Sequence, residues 1–311
     1  MFDDKVLLIT GGTGSFGSTV LRRFINEPFK EIRIFSRDET KQEDQRLHYR
    51  DSRLRYYLGD VRDTRSIGNA VKDVDYIFHA AALKQVATGE RFPAEVVRTN
   101  ILGTENVCEA SAGRLVVLLS TDKAVEPTNA YGASKMLAEH LTLAAGGAVV
   151  RYGNVLGSRG SVLHTWRQQM AAGRPITLTH PDISRFWMTA PQAVGLVLTA
   201  LARMEGGEIF VPKLPALQLS ALARLVGGPD HPTTLTGLRP GGEKLHEELL
   251  SGEEIARTHD GGDVYIIAPT VASWRSVAPD YGPLVDPAFR YRSDTAPVMS
   301  DAEMTLMLEA A

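Results

Sequence analysis

The chain of 311 residues is poor in cysteine, has little net charge and lacks a long apolar run. Its one cysteine, Cys108, cannot form an internal disulfide, and its apolar helical surroundings favour a buried, unreactive thiol in a reducing compartment. A net charge of −3 without a basic block argues against nucleic acid and membrane surfaces as partners. No run reaches the roughly 20 apolar residues that a bilayer requires. The N-terminus leaves no room for a secretory signal, so we expect a cytoplasmic protein.

The first half of the chain alternates between two kinds of segment. Short β-branched runs such as "KVLLIT", "EIRIFS" and "RLVVLLS" are separated by stretches of helical periodicity. This alternation predicts βαβ units and a Rossmann-type, doubly wound parallel sheet of the α/β class. Beyond about residue 155, glycine and proline become frequent and the strand-like runs shorten. We therefore expect a dinucleotide-binding domain over 1–155, to which later segments return, and a smaller, mainly substrate-binding C-terminal lobe over 156–311.

A glycine-rich stretch, "TGGTGSFG", lies between the first predicted strand and the first predicted helix. Gly11, Gly14 and Gly17 would let the backbone turn tightly and approach a pyrophosphate, which the helix N-terminus attracts. A glycine triplet alone is a weak signal, but the strand before it and the helix after it supply the expected context. The stretch predicts a nicotinamide dinucleotide site.

The end of the second predicted strand, "FSRDETKQ", indicates which dinucleotide is bound. A ribose 2′-hydroxyl is usually held by a carboxylate at this place, but Ser36 and Arg37 stand here instead. A hydroxyl and a guanidinium suit a 2′-phosphate, so NADP is favoured over NAD. Asp38 follows directly and keeps NAD as the less favoured alternative. Asp60 and Val61, at the end of the third strand, would flank the adenine.

The stretch "STDKAVEPTNAYGASK" carries two acid/base pairs. Tyr131 and Lys135 lie one helical turn apart, so their side chains share a face. A tyrosine with a pKa near 10 can take a sugar hydroxyl proton if nearby positive charge favours the phenolate. Upstream stand Asp122 and Lys123. Oxidation or epimerisation needs no such second pair, whereas removal of water needs both an acid and a base.

Lysine can act as that base only if its pKa falls, through burial or a neighbouring cation. Lys84, in "HAAALKQV", is a candidate for such a cation. The alternative for Asp122 and Lys123 is an exposed turn before a helix. From local sequence alone, both interpretations stay open.

These motifs together resemble the extended short-chain dehydrogenase/reductases. Within that group, the chain resembles the C5-inverting UDP-N-acetylglucosamine 4,6-dehydratases of the polysaccharide biosynthesis family. The resemblance extends from residue 10 to about 295, through "TGGTGSFG", "FSRDETKQ", "HAAALKQV", "TNILGTENV", "STDKAVEPTNAYGASK", "RYGNVLGSRGSV", "SRFWMT", "RPGGEKLHEELLS" and "YRSDT". The Thr-Asp-Lys segment is the most specific, since retaining sugar dehydratases typically carry Asp-Glu there.

The resemblance implies a redox-neutral lyase reaction. Tyr131 would take the O4 proton while hydride leaves C4, Lys123 would remove the C5 proton, and Asp122 would protonate the departing C6 hydroxyl. Hydride would return to C6 and a proton to the opposite face of C5. The product would be UDP-2-acetamido-2,6-dideoxy-L-arabino-hexos-4-ulose. The alternatives are a UDP-sugar 5,6-dehydratase that releases an alkene, a UDP-sugar 4-epimerase, and a dinucleotide-sensing regulator without catalysis.

The resemblance also assigns site residues, and it implies a UDP-sugar substrate, a homo-oligomer (dimer or hexamer) and no metal. The catalytic set is Thr121, Asp122, Lys123, Tyr131 and Lys135. The cofactor set is Gly11, Thr13, Gly14, Ser15, Phe16, Gly17, Ser36, Arg37, Lys41, Asp60, Val61, Ala80, Ala81, Ala82, Lys84, Asn100, Tyr131, Lys135 and Val155. The substrate set is Lys84, Asn154, Arg159, Val162, Thr179, Arg185, Arg239 and Glu243.

Two segments depart from the family's pattern. "RPGGEK" carries one glycine more than the usual "RPGEK", which could shift Arg239 or Glu243. "KQVATGERFPAEV" lacks the usual proline after the valine. An arginine suits a diphosphate because its fork bonds two oxygens at once, but each arginine could equally form a surface ion pair.

Overall fold

The computed structural model describes residues 2–113, 115–158, 160–270 and 279–309. In the first half, helices and strands alternate as predicted. In chain order they are β1 (Val6–Thr10), α1 (Ser15–Phe24), β2 (Glu31–Ser36), α2 (Glu39–Tyr49), β3 (Leu54–Leu58), α3 (Thr64–Val71), β4 (Tyr76–His79), α4 (Val86–Arg91), α5 (Pro93–Val96), a π-helical turn (Val97–Leu102), α6 (Gly103–Ser111), β5 (Leu115–Leu119), a 3-10 turn (Asp122–Ala124), α7 (Ala130–Ala144) and β6 (Ala148–Val150).

The second half has shorter strands. It continues with β7 (Asn154–Val155), α8 (Val162–Ala171), β8 (Ile176–Leu178), β9 (Ser184–Met188), α9 (Ala190–Arg203), β10 (Ile209–Pro212), β11 (Ala216–Gln218), α10 (Leu219–Gly227), β12 (Thr233–Leu235), a 3-10 turn (Glu254–Arg257), β13 (Thr258–Asp260), β14 (Val264–Ile267) and α11 (Asp301–Glu309). Within the described residues, no helix combines the length and apolarity that a bilayer crossing demands.

One large sheet organises the chain. Its strand order is β13-β14-β10-β6-β5-β4-β1-β2-β3. The strands from β3 to β10 run parallel, and β14 and β13 add an antiparallel edge. The order β3-β2-β1-β4-β5-β6 is that of a Rossmann sheet, whose ligands bind where the order reverses, beside β1 and β4. The predicted α/β, doubly wound class is confirmed.

The sheet is covered on both faces, which is why its strands are nearly continuous apolar runs. Leu7, Leu8 and Ile9 of β1 are fully buried. Thr10 pairs with Phe35 of β2 and His79 of β4, so these strands end level with one another. The polar residues that follow the strands are thereby brought to one edge.

The C-terminal lobe has its own core around Trp166 and Trp187, joined by Met304 of α11. Two small sheets, β11-β9-β7 and β12-β8, support it. Later strands return to the large sheet, as expected: β10, β13 and β14 extend it beyond β6. The predicted boundary near residue 155 stays a prediction.

A buried ion triad joins the large sheet to the lobe. Arg151, after β6, bonds Glu139 of α7 at 2.7 Å and Glu254 at 2.7 Å. Ser120, after β5, donates to Glu139 at 2.5 Å. Because each ion has partners, the triad fixes the end of β5 against α7 and the segment around residue 254.

Candidate active site

The glycine-rich stretch forms the floor of a groove of about 730 Å³ at the edge where β1 and β4 end. A Cβ atom on Gly11 would lie 2.9 Å from the Ala81 backbone, and one on Gly17 would lie 2.4 Å from the Gly11 carbonyl oxygen. Gly14 precedes α1 and provides no side-chain cap, so the first amides of that helix can bind an anion.

The groove collects most of the residues predicted to hold a cofactor. Phe16, at the start of α1, stacks on Tyr152 with ring centroids 5.4 Å apart. The groove lining includes Gly11, Thr13, Gly14, Ser36, Arg37, Lys41, Asp60, Val61, Ala80, Ala81 and Ala82. An extended groove with a glycine crossing and an uncapped helix start fits a dinucleotide with its pyrophosphate over α1.

Charged side chains occupy one end of this groove. Asp38 caps α2 by accepting from the Lys41 amide at 3.0 Å, and it also contacts the Lys41 ammonium, whose hydrogen bond lowers the Asp38 pKa. Arg37 is 53% exposed and reaches Asp60 at 3.5 Å. Asp60 bonds Arg62 more closely, at 2.6 Å. Arg37 is thus weakly held, whereas the Asp38 carboxylate is already engaged.

A buried histidine that the sequence did not single out links the strand ends. His79 Nδ1 lies 2.6 Å from the Thr10 hydroxyl, and Nε2 lies 3.0 Å from the Thr104 hydroxyl. Burial, with the charge of Lys135, lowers the His79 pKa to about 3. Thr104 donates to the Asn100 carbonyl at 2.7 Å, so the neutral ring carries its proton on Nε2 and accepts from Thr10.

Asn100 lies in the π-helical turn and is almost fully buried. Its amide accepts from the Leu83 N–H at 2.8 Å and donates to the Leu83 carbonyl at 2.9 Å. It also donates to the Ser134 hydroxyl at 2.9 Å. Asn100 therefore fixes the loop after β4, which carries Lys84, against the helix that carries Lys135. A widened helical turn at such a position is typical of functional sites.

Tyr131 and Lys135 lie on the buried face of α7, with 8% and 4% exposure. Burial, together with the charge of Asp122, raises the Tyr131 pKa far above its usual value, and a hydrogen bond with Thr121 opposes the rise. Burial lowers the Lys135 pKa to about 8, against the charge of Glu139. The expected lowering of the tyrosine pKa is absent, because burial and the charge of Asp122 outweigh the hydrogen bond with Thr121.

Asp122, which is buried, and Lys123, which is partly buried, form an ion pair directly after β5. Asp122 has no exposed surface, and its Oδ1 accepts from Lys123 Nζ at 3.0 Å and from the Thr121 hydroxyl at 2.9 Å. Its Oδ2 is buried without a hydrogen-bond partner in the described part of the chain. Lys123 is 24% exposed in its side chain. The alternative of an exposed turn is wrong.

The sign of the Lys123 shift differs from expectation. Burial alone would lower the pKa of Lys123, but Asp122 and Glu247 outweigh burial and raise it. The cation that opposes them is Arg185, in place of the expected Lys84. Burial, with help from Glu247, raises the Asp122 pKa, and Lys123 opposes that rise. Each partner therefore has an increased affinity for a proton.

Glu247 is the residue at this site that sequence reasoning missed. It is 2% exposed and lies 3.3 Å from Lys123 Nζ. Lys244 lies 3.6 Å and Arg185 3.8 Å from its carboxylate. Burial alone would raise the Glu247 pKa, but these three cations lower it. In the sequence, Glu247 was marked only by its place in the "RPGGEKLHEELLS" segment, and the resemblance assigned it no role.

The predicted substrate residues fall into two groups. Arg185 is buried and donates to the carbonyls of Ser184, Lys244 and Leu245 at 2.7 to 3.1 Å. Its fork is therefore engaged with protein groups. Arg239 is 69% exposed and bonds Glu243 at 2.5 Å.

The unusual glycine pair of "RPGGEK" meets the other departing segment. A Cβ atom on Gly241 would lie 2.6 Å from the Glu90 side chain, and one on Gly242 would lie 2.2 Å from the Thr128 carbonyl. Both glycines have positive φ, +95° and +84°. Glu90 accepts from the Ala130 amide at 2.7 Å, at the start of α7. The two glycines thus bring the loop that carries Arg239 against the start of α7.

The other candidates lie around the lobe side of the groove. Asn154 and Val155 form β7 and pair with Trp187 and Met188. Val162 begins α8. The Thr179 hydroxyl is buried without a hydrogen-bond partner among the described residues. Arg159 lies outside the described residues. The site roles assigned from resemblance stay predictions.

The arrangement can do acid/base chemistry beside a hydride acceptor. A phenol and an ammonium lie on α7, a carboxylate and an ammonium lie after β5, and a dinucleotide groove opens next to them. A Rossmann sheet with this Tyr131–Lys135 pair defines an extended short-chain dehydrogenase/reductase, the class predicted from the sequence.

The chain belongs to the polysaccharide biosynthesis protein family, whose pattern matches residues 7–269. This family of nucleotide-sugar enzymes was the one expected from the motifs. A similar curated protein is the UDP-glucose 4-epimerase of Rickettsia bellii (strain OSU 85-389), 47% identical over 286 residues, which are 86% of this chain and 84% of that protein. The UDP-glucose 4-epimerase of Rickettsia canadensis (strain McKiel) is 46% identical over the same coverage.

Among solved structures, Pen from Bacillus thuringiensis aligns with a TM-score of 0.92 and 35% identity, covering 100% of this chain and 98% of that chain. DesIV from Streptomyces venezuelae, a dTDP-glucose 4,6-dehydratase with NAD and TYD bound, aligns with a TM-score of 0.69 and 21% identity over 76% of this chain and 86% of that chain. The second likeness shows the fold alone.

Proposed function

We propose that the chain is an NADP-dependent nucleotide-sugar 4,6-dehydratase that inverts C5 and acts on UDP-N-acetylglucosamine. The observation that carries the proposal is the ion pair of buried Asp122 with partly buried Lys123, 3.0 Å apart, after β5 and beside Tyr131. A redox enzyme without an elimination step has no use for a second acid and base at this position. Burying such a pair is also costly, so a chemical role explains its presence.

The proton count of the pair matches the elimination. An aspartate and a lysine in an ion pair share one dissociable proton, which the ammonium carries. The same proton, moved across the 3.0 Å hydrogen bond, gives a carboxylic acid and a free amine. Those are the two species that the reaction needs, an acid for the C6 hydroxyl and a base for C5. Burial favours this neutral form over the ion pair.

In the proposed cycle, Tyr131 accepts the O4 proton as C4 becomes a ketone. A nicotinamide dinucleotide, when bound, would take up the C4 hydride and return it to C6. The ketone makes the C5 hydrogen acidic, so the Lys123 amine removes it while Asp122 protonates the C6 hydroxyl, which leaves as water. As hydride is returned to C6, C5 takes a proton that originates from solvent on the opposite face. The product is UDP-2-acetamido-2,6-dideoxy-L-arabino-hexos-4-ulose.

NADP is proposed because of the side chains at the end of β2. Arg37 is more than half exposed and only weakly paired with Asp60, so it is available to a 2′-phosphate. Lys41 and Ser36 line the same end of the groove. Asp38, the carboxylate that could hold a ribose diol, is engaged in capping α2.

The lobe would hold the nucleotide-sugar. Arg239 is exposed and its partner Glu243 is buried, so the guanidinium can exchange that carboxylate for a diphosphate. Asn154, Val162, Thr179 and Lys84 complete the proposed substrate set. By the same resemblance, we propose a homo-oligomer and the two-domain division near residue 155.

A UDP-glucose 4-epimerase is the second candidate, because curated relatives that are 46–47% identical carry that name. Epimerisation requires oxidation and reduction at C4 but no proton transfer at C5. The two candidates therefore differ in exchange with solvent at C5.

The discriminating experiment incubates the enzyme with UDP-N-acetylglucosamine, and separately with UDP-glucose, in deuterated water and follows both sugars by NMR. Loss of water with deuterium at C5 and a methyl group at C6 supports the dehydratase. Inversion at C4 without deuterium overturns it and leaves an epimerase. An alkene that persists indicates a 5,6-dehydratase, and an absence of turnover that Tyr131→Phe does not alter favours a dinucleotide-sensing protein.

A further inference from the structure

We propose that Glu247 is a positioning residue of the proton-transfer group: it holds the Lys123 ammonium as a second carboxylate besides Asp122 and governs when Lys123 releases its proton. The inference deepens the proposed function and rests on it for the step in which Lys123 acts as a base.

The position of Lys123 close to two carboxylates supports this role of Glu247. Lys123 Nζ lies between two carboxylates, 3.0 Å from Asp122 Oδ1 and 3.3 Å from Glu247 Oε1. One oxygen of each carboxylate, Asp122 Oδ2 and Glu247 Oε2, is buried without a hydrogen-bond partner in the described residues. Glu247 Oε2 has the Lys244 ammonium at 3.6 Å, beyond hydrogen-bond distance, whereas a buried carboxylate oxygen with no donor, such as Asp122 Oδ2, is costly and unusual away from functional sites.

Backbone hydrogen bonds fix the position of Glu247. Its backbone N–H donates to the Ser293 hydroxyl at 2.9 Å, and the Ser293 N–H donates to its carbonyl at 2.9 Å. Ser293 in turn lies 2.7 Å from the Ser184 hydroxyl. Three sequence segments, "SRFWMT", "RPGGEKLHEELLS" and "YRSDT", thus converge to place one carboxylate next to Lys123.

The charge around Glu247 supports the same role. The groups that face this cluster are Asp122, Lys123 and Tyr152 from the sheet edge, Tyr131 from α7, Arg185 from β9, and Glu243, Lys244 and Glu247 from the segment before residue 250. Arg185 and Lys244 balance the charge of Glu247, and Lys244 also donates to the Val125 carbonyl. The Glu247 carboxylate is thereby kept ionised, so its charge acts on Lys123 throughout the neutral range.

The consequence can be measured as a proton affinity. A carboxylate within about 4 Å stabilises an ammonium, and its removal should lower the lysine pKa by about 1 to 3 pH units. Glu247→Gln keeps the shape and removes the charge, whereas Glu247→Asp keeps the charge and withdraws it by one methylene. Glu248→Gln, the adjacent residue, paired only distantly with Arg292 at 3.9 Å, is the matched control.

The experiment titrates Lys123 directly by carbon NMR of enzyme that is labelled with ¹³C at the Cε atom of lysine. The chain has nine lysines, so the spectrum of Lys123→Ala is used to assign the Lys123 resonance. We expect the Lys123 midpoint to fall by about 1 to 3 pH units in Glu247→Gln and to change little in Glu247→Asp and Glu248→Gln. Unfolding curves establish that each variant is folded, and Glu247→Ala, which also removes the charge and should lower the midpoint, replaces Glu247→Gln if that variant does not fold. An unchanged midpoint in a folded Glu247→Gln overturns the proposal, as does a fall of equal size in Glu248→Gln.

The pH dependence of turnover provides a second measurement. The acidic limb of the pH–rate profile for water loss, which reports loss of the second proton from the Asp122–Lys123 pair, should move to lower pH in Glu247→Gln. A rate loss at every pH with an unmoved limb would make Glu247 purely structural. If the wild-type enzyme removes no water but the titration shifts as expected, the proposed reaction fails while the control of Lys123 by Glu247 stands.

Discussion

Lys135 should make the folded protein less stable than a chain with an apolar residue in its place. Its side chain is 4% exposed, and within the described residues no carboxylate forms an ion pair with it. Burial lowers its pKa from 10.5 to about 8, with Glu139 opposing. At about 1.4 kcal/mol for each pH unit, keeping the ammonium buried costs the fold about 3 kcal/mol at neutral pH.

The sign of the pH dependence follows from proton binding. Between pH 8 and 10.5 the unfolded chain holds a proton on Lys135 that the folded chain has released, so wild-type stability rises with pH across that window. Lys135→Met keeps the length of the side chain and removes the charge. It should exceed wild type by about 3 kcal/mol in free energy of unfolding at pH 7, with an advantage that disappears toward pH 10.5.

The assay is urea unfolding of wild type and Lys135→Met at pH 7, 8, 9 and 10. Taking the difference between the two proteins removes the titration of every other group. Lys72→Met, at an exposed lysine after α3, is the control, and its difference from wild type should be small and independent of pH. A Lys135→Met protein that is no more stable than wild type at pH 7, or whose advantage persists unchanged to pH 10, would refute the reasoning. In the proposed reaction the Lys135 charge serves the chemistry, so the gain in stability should accompany a loss of turnover.

Three further outcomes are expected. Arg37→Ala should weaken NADP binding about 10- to 100-fold and leave NAD binding nearly unchanged in calorimetric titrations, because one charged hydrogen-bond partner of the 2′-phosphate is lost; equal losses for both would argue against a phosphate contact. Arg151→Ala should lower the free energy of unfolding by about 3 to 5 kcal/mol, because Glu139 and Glu254 would be left buried and unpaired; a loss within 1 kcal/mol would mean that water compensates them. Cys108, whose pKa burial raises to about 11, should react with a disulfide reagent at pH 8 far more slowly in the folded than in the urea-unfolded chain.

Local patterns predicted the parts of the site that lie within single segments. Gly11 and Gly17 were recognisable because a strand, a tight turn and a helix follow one another directly. Tyr131 and Lys135 were recognisable because helical spacing alone puts them on one face. The doubly wound parallel sheet was recognisable from the alternation of strand and helix patterns alone.

Contacts between distant segments could not be read in the same way. Lys244 and Val125 are 119 residues apart in the chain yet share a hydrogen bond. The contact between these two segments also brings Glu247 to Lys123, and no local pattern in the sequence predicts it. The sequence therefore led us to seek a cation that would lower the Lys123 pKa, whereas the fold supplies a second carboxylate that raises it. The π-helical turn at Asn100 was not predicted for a related reason. Its hydrogen bonds to Leu83 and Ser134 join segments that are distant in the sequence.

The raised pKa of Lys123 and its proposed action as a base are compatible because of where its proton can go. The Lys123 side chain is 24% exposed in the free chain, and that water stabilises the ion pair with Asp122. A sugar that covers the pair would remove the water, which disfavours separated charges and favours the carboxylic acid and the amine. Glu247 opposes this transfer by stabilising the ammonium, so it delays the formation of a free amine until the substrate is in place. In the proposed reaction, the same carboxylate would thus protect the enzyme from premature proton transfer and make its turnover depend on complete closure around the sugar.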